Sequence, residues 1–499
     1  MARPRRFGAP LNGAWHTVLA RLALTAALAA ACDASPSPVP TTTASSGEAP
    51  VPTTTASSGE APVPTVEVQP IEGGPVLLRT DMTLRRVVGV GDGSVTLALN
   101  PVDGALYYLK PASGVYRLIL SDSPLAELVA SASNLQGYPA SMTFGPDGTL
   151  YTVANSRVSE TTTQAIVRRA TPKEGGGYTW TTLATTVPYP TSNTNYDHLF
   201  NGITVSPDGQ YVYVNAGSRT DHGEEEANGG AFPGLREAAL TARIFRLPAD
   251  ALDLELPNDE AALEALDVVF ATGTRNAFDL AFAPNGELFA VDNGPDADYP
   301  DELNWIRPGR HYGFPWRFGA TDNPQQFADY DGQTDPYLQR GFSAVDNGLY
   351  RNDPSFPPPP GSFTDPVINL GPDAAQYRGD DGAQHDAAAE GSHLNTFTPH
   401  RSPLGLVFAA VSQLPADLQS PDGGLSAFVL SWGAAAGTLT DKGQDLLHLA
   451  LTPADDNYQA VTRQLARGFK NPIDAVMIGN RLYILEYGQG GAVWEITFQ

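Results

Sequence analysis

One cysteine in 499 residues excludes a good deal of chemistry. Without a second thiol there is no disulfide framework, no Cys-type zinc site and no covalently attached haem. Cations are also scarce: 30 Lys and Arg stand against 55 Asp and Glu, a net charge of −25. Phosphate backbones are repelled by such a surface, so nucleic acid is excluded as a partner. The same acidity suits solubility and affinity for calcium. Long apolar runs are missing too. The stretch from Leu22 to Ala31 follows a basic start (Arg3, Arg5, Arg6) and is too short to cross a bilayer. Residues 1–32 therefore read as a secretory signal ending at Cys32. That cysteine follows small residues, as lipid-attachment cysteines of bacterial lipoproteins do, although Ala29 stands where an apolar residue is usual. The expectation is an exported protein of the cell envelope, lipid-anchored or extracellular/periplasmic, touching membrane only through an N-terminal lipid anchor.

Residues 33–72 lack apolar periodicity. The string Pro-Val-Pro-Thr-Thr-Thr-Ala-Ser-Ser-Gly-Glu-Ala starts at Pro38 and again at Pro50. Nothing there offsets the entropy of ordering a chain, so a disordered, proline-stiffened spacer is expected. Residues 73–499 are long enough for one large domain.

What this domain has in abundance is one kind of turn. It occurs as Pro146-Asp147-Gly148, Pro207-Asp208-Gly209 and Pro284-Asn285-Gly286, each followed by alternating aromatic and β-branched residues. Looser copies stand at Pro101 to Gly104, Pro421-Asp422-Gly423 and Gly479-Asn480. Such turns predict hairpins, of type I′ where both central residues take positive φ. Six copies at wide spacing predict an all-β fold, a six-bladed β-propeller of four-stranded blades, with long loop insertions on one face. A plain sandwich would not need the same turn before the same strand. The insertions are residues 217–236 and residues 320–400, the latter Pro- and Gly-rich with almost no strand pattern. Residues 251–265 read as a loop with a short surface helix.

Residues 275–316 concentrate the chemistry. Arg275-Asn276 precedes an inner strand, Gly294-Pro295 makes a tight turn, and Asp301-Glu302 and Tyr312-Gly313 follow. This set resembles the soluble quinoprotein glucose/sorbosone dehydrogenases over much of 130–316 and less clearly over 400–499. The resemblance implies pyrroloquinoline quinone (PQQ) and Ca2+ as cofactors. It implies calcium on the carbonyls of Gly294 and Pro295, and a second calcium site at Asp301, Glu302, the carbonyl of Tyr312 and Asp322. Backbone carbonyls on a turn suit calcium, which takes several oxygen ligands. Arg275 matches the arginine beside the quinone oxygens, where its fixed fork of donors meets developing negative charge. Asn276 matches a neighbouring cofactor contact. His198, in Asp197-His198 before another inner strand, matches the catalytic base; neutral imidazole has the pKa range for a sugar hydroxyl proton. Asp197 is a candidate to orient it, and His222 is the next histidine. Bland readings stand beside these: an Arg paired with a carboxylate, a structural His, a solvated acidic turn.

The last blade departs from the family. Phe469-Lys470-Asn471-Pro472 offers one lysine where the family supplies arginines to the cofactor carboxylates. Lys442 and Arg401 are the candidates to compensate. The expected activity is oxidation of an aldose or related, sorbosone-type sugar at its anomeric or aldehyde carbon, with an unknown electron acceptor. A calcium-dependent propeller lactonase or esterase and a non-catalytic carbohydrate-binding propeller are the alternatives.

Overall fold

The recurring turns each join an innermost strand to the next strand of a separate antiparallel sheet, and there are six such sheets. The structure is a computed structural model, and it describes residues 73–499 apart from 122–123, 422, 435 and 489. The expected signal and spacer lie outside the described residues. The innermost strands are Thr96–Leu99, Tyr138–Phe144, Phe200–Val205, Ala277–Phe282, Pro403–Ala409 and Pro472–Ile478. They pack side by side in that order, and the last returns to the first. We number the blades 1 to 6 accordingly. The fold is the six-bladed β-propeller expected from the repeat. Blade 6 closes the ring by a means the hairpins did not reveal: strand Met82–Gly89, from near the start of the domain, pairs with Ala492–Phe498 at the chain's end.

The turns correct one expectation. Only the glycine takes positive φ, for example +80° at Gly148 and +87° at Gly286, while its Asp or Asn partner does not. Gly148 donates to the carbonyl of Gly145, and Asp147 accepts from the backbone of Thr149. Proline at the first central position fixes φ near −65°, which fits a type I turn followed by a left-handed glycine and forbids type I′. Blade 4 is a second correction. It has three strands rather than four, ending at Glu302–Ile306, because the chain then leaves into the long insertion.

The inner strands of blades 2 to 6 each carry a register shift near their start. Just beyond it, Asp279 of blade 4 accepts from the backbone N–H of Leu406 in blade 5, and Asp474 of blade 6 accepts from Leu97 in blade 1, both at 2.7 Å. These edge N–H groups would otherwise lack a ladder partner. Apolar side chains fill the spaces between blades, among them Leu106, Val153, Phe245, Phe289 and Leu449.

Residues 251–265 contain a short strand, Leu254–Leu256, and the helix Glu260–Leu266, N-capped by Asp259. The region 320–400 holds more strand than its sequence suggested: Ile368–Pro372 lies parallel on the outer strand of blade 5, and Gln376–Arg378 pairs with Gln384–Asp386. Residues 337–350 bring Tyr337, Leu338, Ala344, Val345, Leu349 and Tyr350 against Tyr196, Ala297, Tyr299, Phe314 and Phe318. This apolar cluster is separate from the inter-blade cores and roofs one end of the channel.

Candidate active site

The roofed end is where the inner strands begin. His198, Arg275, Arg401 and Lys470 each stand two positions before an inner strand, in blades 3, 4, 5 and 6. Topology alone therefore delivers four nitrogen-bearing side chains to one end of the ring. Carboxylates at the ends of second strands fix this approach. Asp292 accepts from the backbone N–H groups of both Arg275 (2.9 Å) and Asn276 (2.5 Å), and Glu486 accepts from Lys470 N–H at 2.7 Å.

His198 is fully buried. Its Nδ1 lies 3.1 Å from the Ser218 hydroxyl and 3.2 Å from the Ser218 carbonyl, while its Nε2 has no partner. Burial, then the nearby Arg275 charge, pushes its pKa well below the usual imidazole value, so the ring is neutral. Asp197 does not orient it: that carboxylate turns away to accept from Ser192 N–H, and burial pushes it up to about 8. Ser218 fills the orienting place instead.

Arg275 is 3 % exposed and its donors are engaged. Nε reaches the Asp221 carbonyl at 2.7 Å, one terminal nitrogen reaches the Asp221 carboxylate at 2.7 Å, and the other reaches the Asn293 carbonyl at 3.2 Å. Asp221 is the hub of this end. It also meets His222 Nδ1 at 2.8 Å and accepts from the Tyr350 hydroxyl at 2.9 Å. Burial alone would raise its pKa, but Arg275, His222 and Tyr350 more than offset that and hold it below the carboxylate range. At His222 burial is outweighed by the carboxylates of Glu224 and Asp221, so its pKa is raised. Its Nε2 is buried without a partner, and its ring stacks on Tyr350 at 3.7 Å. Asn276 is likewise engaged: its amide donates to Asn293 and its oxygen accepts from Asn201 at 2.7 Å, while Asn293 donates on to the Pro403 carbonyl. This asparagine ladder ties blades 3, 4 and 5 together.

The acidic pair lies beside the Gly294 turn. Asp301 accepts from Gly294 N–H at 2.7 Å and Ser402 N–H at 2.8 Å. Glu302 accepts from Gly319 N–H at 2.7 Å and the Asn304 amide at 2.9 Å. A cavity of about 10 Å³ is lined by Asp292, Gly294, Glu302 and Tyr312 together with Arg275. That is room for about one water or one ion. Burial pushes Asp292 up to about 7, and burial with the Asp292 charge pushes Glu302 up to about 8; burial raises Asp301 as well. Among the described residues no donor reaches the carbonyl oxygens of Gly294, Pro295 or Tyr312. Among the described residues no three acidic or imidazole side chains converge enough to chelate a metal by themselves, so an ion here would need carbonyl oxygens as well. Asp322 takes no part in this group: it is exposed and faces Arg317 at 3.9 Å.

The cations expected for a cofactor are dispersed. Arg401 is buried but turns outward over blade 5, bonded to Asp441 and, at 2.6 Å, to Asp445. Lys442 donates to the carbonyls of Ala436 (3.1 Å) and Gly437 (2.8 Å). Lys470 is exposed. Sequence reading missed Asp221 and Tyr350 as parts of the site. The Asp221-His222 pair was a usable signal; nothing in the sequence pointed to Tyr350.

Residues 96–346 match the family model for glucose / sorbosone dehydrogenase. Quinoprotein glucose dehydrogenase B of Acinetobacter calcoaceticus is 24 % identical over 245 residues, 44 % of this chain and 48 % of that protein. The match thus spans about half the length of that curated relative. Among solved structures, the holo PQQ domain of pyranose dehydrogenase from Coprinopsis cinerea superposes with a TM-score of 0.53 at 14 % identity, covering 85 % of this chain and 97 % of that one. The apo soluble aldose sugar dehydrogenase of Escherichia coli gives 0.52 at 13 % identity, covering 84 % and 100 %. These two likenesses are of fold.

Proposed function

This chain belongs to the glucose/sorbosone dehydrogenase family, and from that premise we propose that it oxidises a sugar with PQQ and calcium. The reaction removes a hydride and a proton from an aldose or sorbosone-type sugar at the anomeric or aldehyde carbon. PQQ, when bound, supplies the two-electron acceptor. The single observation that carries the reading is the buried His198, whose Nε2 has no partner and which stands near Arg275 at the same end of the channel as the Gly294-Pro295 turn.

Calcium fits the residues present. The carbonyls of Gly294, Pro295 and Tyr312 are unclaimed, and Asp292 and Glu302 line the same small cavity, which they share with Arg275 and Arg317. A bound cation would bring both carboxylates back to their ionised form. A tricarboxylate cofactor fits this conformation less well, since Arg275, Asn276 and Arg401 are engaged and, of the candidate cations Arg275, Arg401, Lys442 and Lys470, only Lys470 is exposed. No step is therefore routed through it.

His198 accepts the sugar hydroxyl proton at Nε2, with Ser218 holding the ring from Nδ1. Asp221 fixes the Arg275 fork, so that cation is already in place when negative charge develops. The buried setting excludes water, which strengthens each of these interactions. Export and anchoring through Cys32 belong to the same proposal; moving the native protein, but not a Cys32→Ser variant, into the membrane fraction is the result it predicts.

The test is dye-linked oxidation of a panel of aldoses by the full chain, with and without added calcium and PQQ. Turnover that needs both is expected. Sugar-independent behaviour together with hydrolysis of lactones would replace the dehydrogenase with the lactonase reading.

A further inference from the structure

The base position in blade 3 is built differently from its counterparts. In blades 4 and 6 the second strand ends on a carboxylate, Asp292 or Glu486, which accepts the backbone N–H of Arg275 or Lys470. In blade 3 the second strand ends on Ala216, whose side chain can accept nothing. Ser218, two positions on and fully buried, takes that place. Its carbonyl accepts the backbone N–H of His198 at 3.0 Å, and its own N–H donates to the carbonyl of Arg275 at 2.7 Å. One serine thus braces His198 against Arg275. The approach is close because residue 217 is glycine: a Cβ there would lie 2.4 Å from the Cβ of His198.

The same serine faces the ring. Nδ1 of His198 meets the Ser218 hydroxyl at 3.1 Å and the Ser218 carbonyl at 3.2 Å. The hydroxyl already donates its one proton to the Thr220 carbonyl at 2.8 Å. Both neighbours of Nδ1 therefore act as acceptors, and an unprotonated Nδ1 would set its lone pair against a carbonyl oxygen. Nε2 has no partner whichever nitrogen carries the proton. A proton on Nε2 would leave both ring nitrogens unsatisfied in a buried site, and a proton on Nδ1 leaves only one.

We propose that Ser218 is a positioning residue that holds His198 as the Nδ1–H tautomer, so that Nε2 alone carries a lone pair and can take a proton from ligand. The assignment rests on the reading of His198 as the base. A hydroxyl in this place acts unlike a carboxylate. A carboxylate at Nδ1 would favour the imidazolium, whose Nε2 is already protonated and is no base. Serine orients the ring without adding charge, so the imidazole stays neutral.

The test reads the tautomer itself. The full chain is isotopically labelled on its histidine nitrogens and studied without sugar, calcium or PQQ. Long-range proton–nitrogen spectra then separate a protonated ring nitrogen from one that carries a lone pair. The His198 signals are those missing from His198→Gln. We expect Nδ1 protonated and Nε2 bare, a result that needs no variant to fold. Ser218→Ala removes the hydroxyl and leaves the carbonyl. It should raise the ratio of Nε2–H to Nδ1–H by about threefold to tenfold, the scale of one neutral hydrogen bond, and so draw the two nitrogen shifts together. A merely structural serine would change the melting temperature and leave those shifts apart. A proton on Nε2 in the parent, or shifts unmoved in Ser218→Ala, would overturn the assignment. Nδ1–H in a parent that oxidises no sugar would leave the assignment standing and remove the dehydrogenase reading.

Discussion

The ring of blades and its roofed mouth are built on opposite principles. In the ring, one short pattern is repeated: a Pro-Asp/Asn-Gly turn, an alternating strand, and an apolar inter-blade core. In the mouth nothing repeats. Charges are buried, and each is held by a partner far away in sequence: Arg275 by Asp221, Asp221 by Tyr350 129 positions later, Asp301 by Ser402 101 positions later. The ring gains by burying apolar area, at about 1.5–3 kcal/mol for each large side chain. The mouth gives up part of that gain to keep ionisable groups dry, where they interact strongly. Apolar burial is concentrated in one region and desolvated charge in the other.

The comparison is broken most sharply at His198. His198→Ala should reduce sugar turnover by about 10²- to 10⁴-fold, the usual cost of losing a positioned general base, while the melting temperature stays close to the parent's. Unchanged turnover in the reconstituted enzyme would move the proton acceptor elsewhere, to His222 first. Next comes the buried pair. Asp221→Ala strands the Arg275 charge and should cost about 3–5 kcal/mol in urea unfolding. The exposed pair of Arg246 with Asp267 on blade 3, 3.5 Å apart, is the contrast: Asp267→Ala should cost at most about 1 kcal/mol. Equal costs would mean that the mouth is no more desolvated than the blade edge.

The acids beside Gly294 sharpen the comparison through pH. Asp292 and Glu302 have folded pKa values raised to about 7 and about 8, above their unfolded values near 4. Their contribution to stability is therefore complete below about pH 4 and is lost as pH rises through 7 and 8. Chelator-treated protein should melt at progressively lower temperature from pH 5 to pH 8.5, and added calcium should recover most at the upper end. In the double variant Asp301→Ala/Glu302→Ala the calcium-dependent part of the melting temperature should shrink. A melting temperature indifferent to both chelator and pH would remove the ion from this site. The smallest effect belongs to the ring. Gly286→Ala puts a side chain at φ +87° in a hairpin turn and should cost about 1 kcal/mol, with turnover unchanged.

How much was legible follows the same division. The six turns gave the blade count and order because hairpin chemistry is local. Even their error was local: proline before Asp or Asn selects a type I turn, and the pattern alone does not display that choice. Placing His198 and Arg275 just before inner strands was enough to bring them to one end. What sits around them was not legible, since no local rule says that Asp221 faces Arg275 or that Tyr350 comes down on both Asp221 and His222. Asp197 shows the limit most plainly. It adjoins His198 in sequence, yet it faces Ser192, because neighbouring side chains on an extended segment point opposite ways.

The central proposal is that this mouth takes up calcium and PQQ and that the chain then oxidises a sugar. The most direct measurement is the absorption spectrum of the purified full chain titrated with PQQ in excess calcium, before and after an aldose is added. The account predicts a saturable bound-cofactor spectrum that forms with calcium, fails to form in chelator, and shifts to the reduced form on adding sugar. A spectrum identical to free PQQ at every ratio, with calcium present and no change on adding sugar, would contradict it.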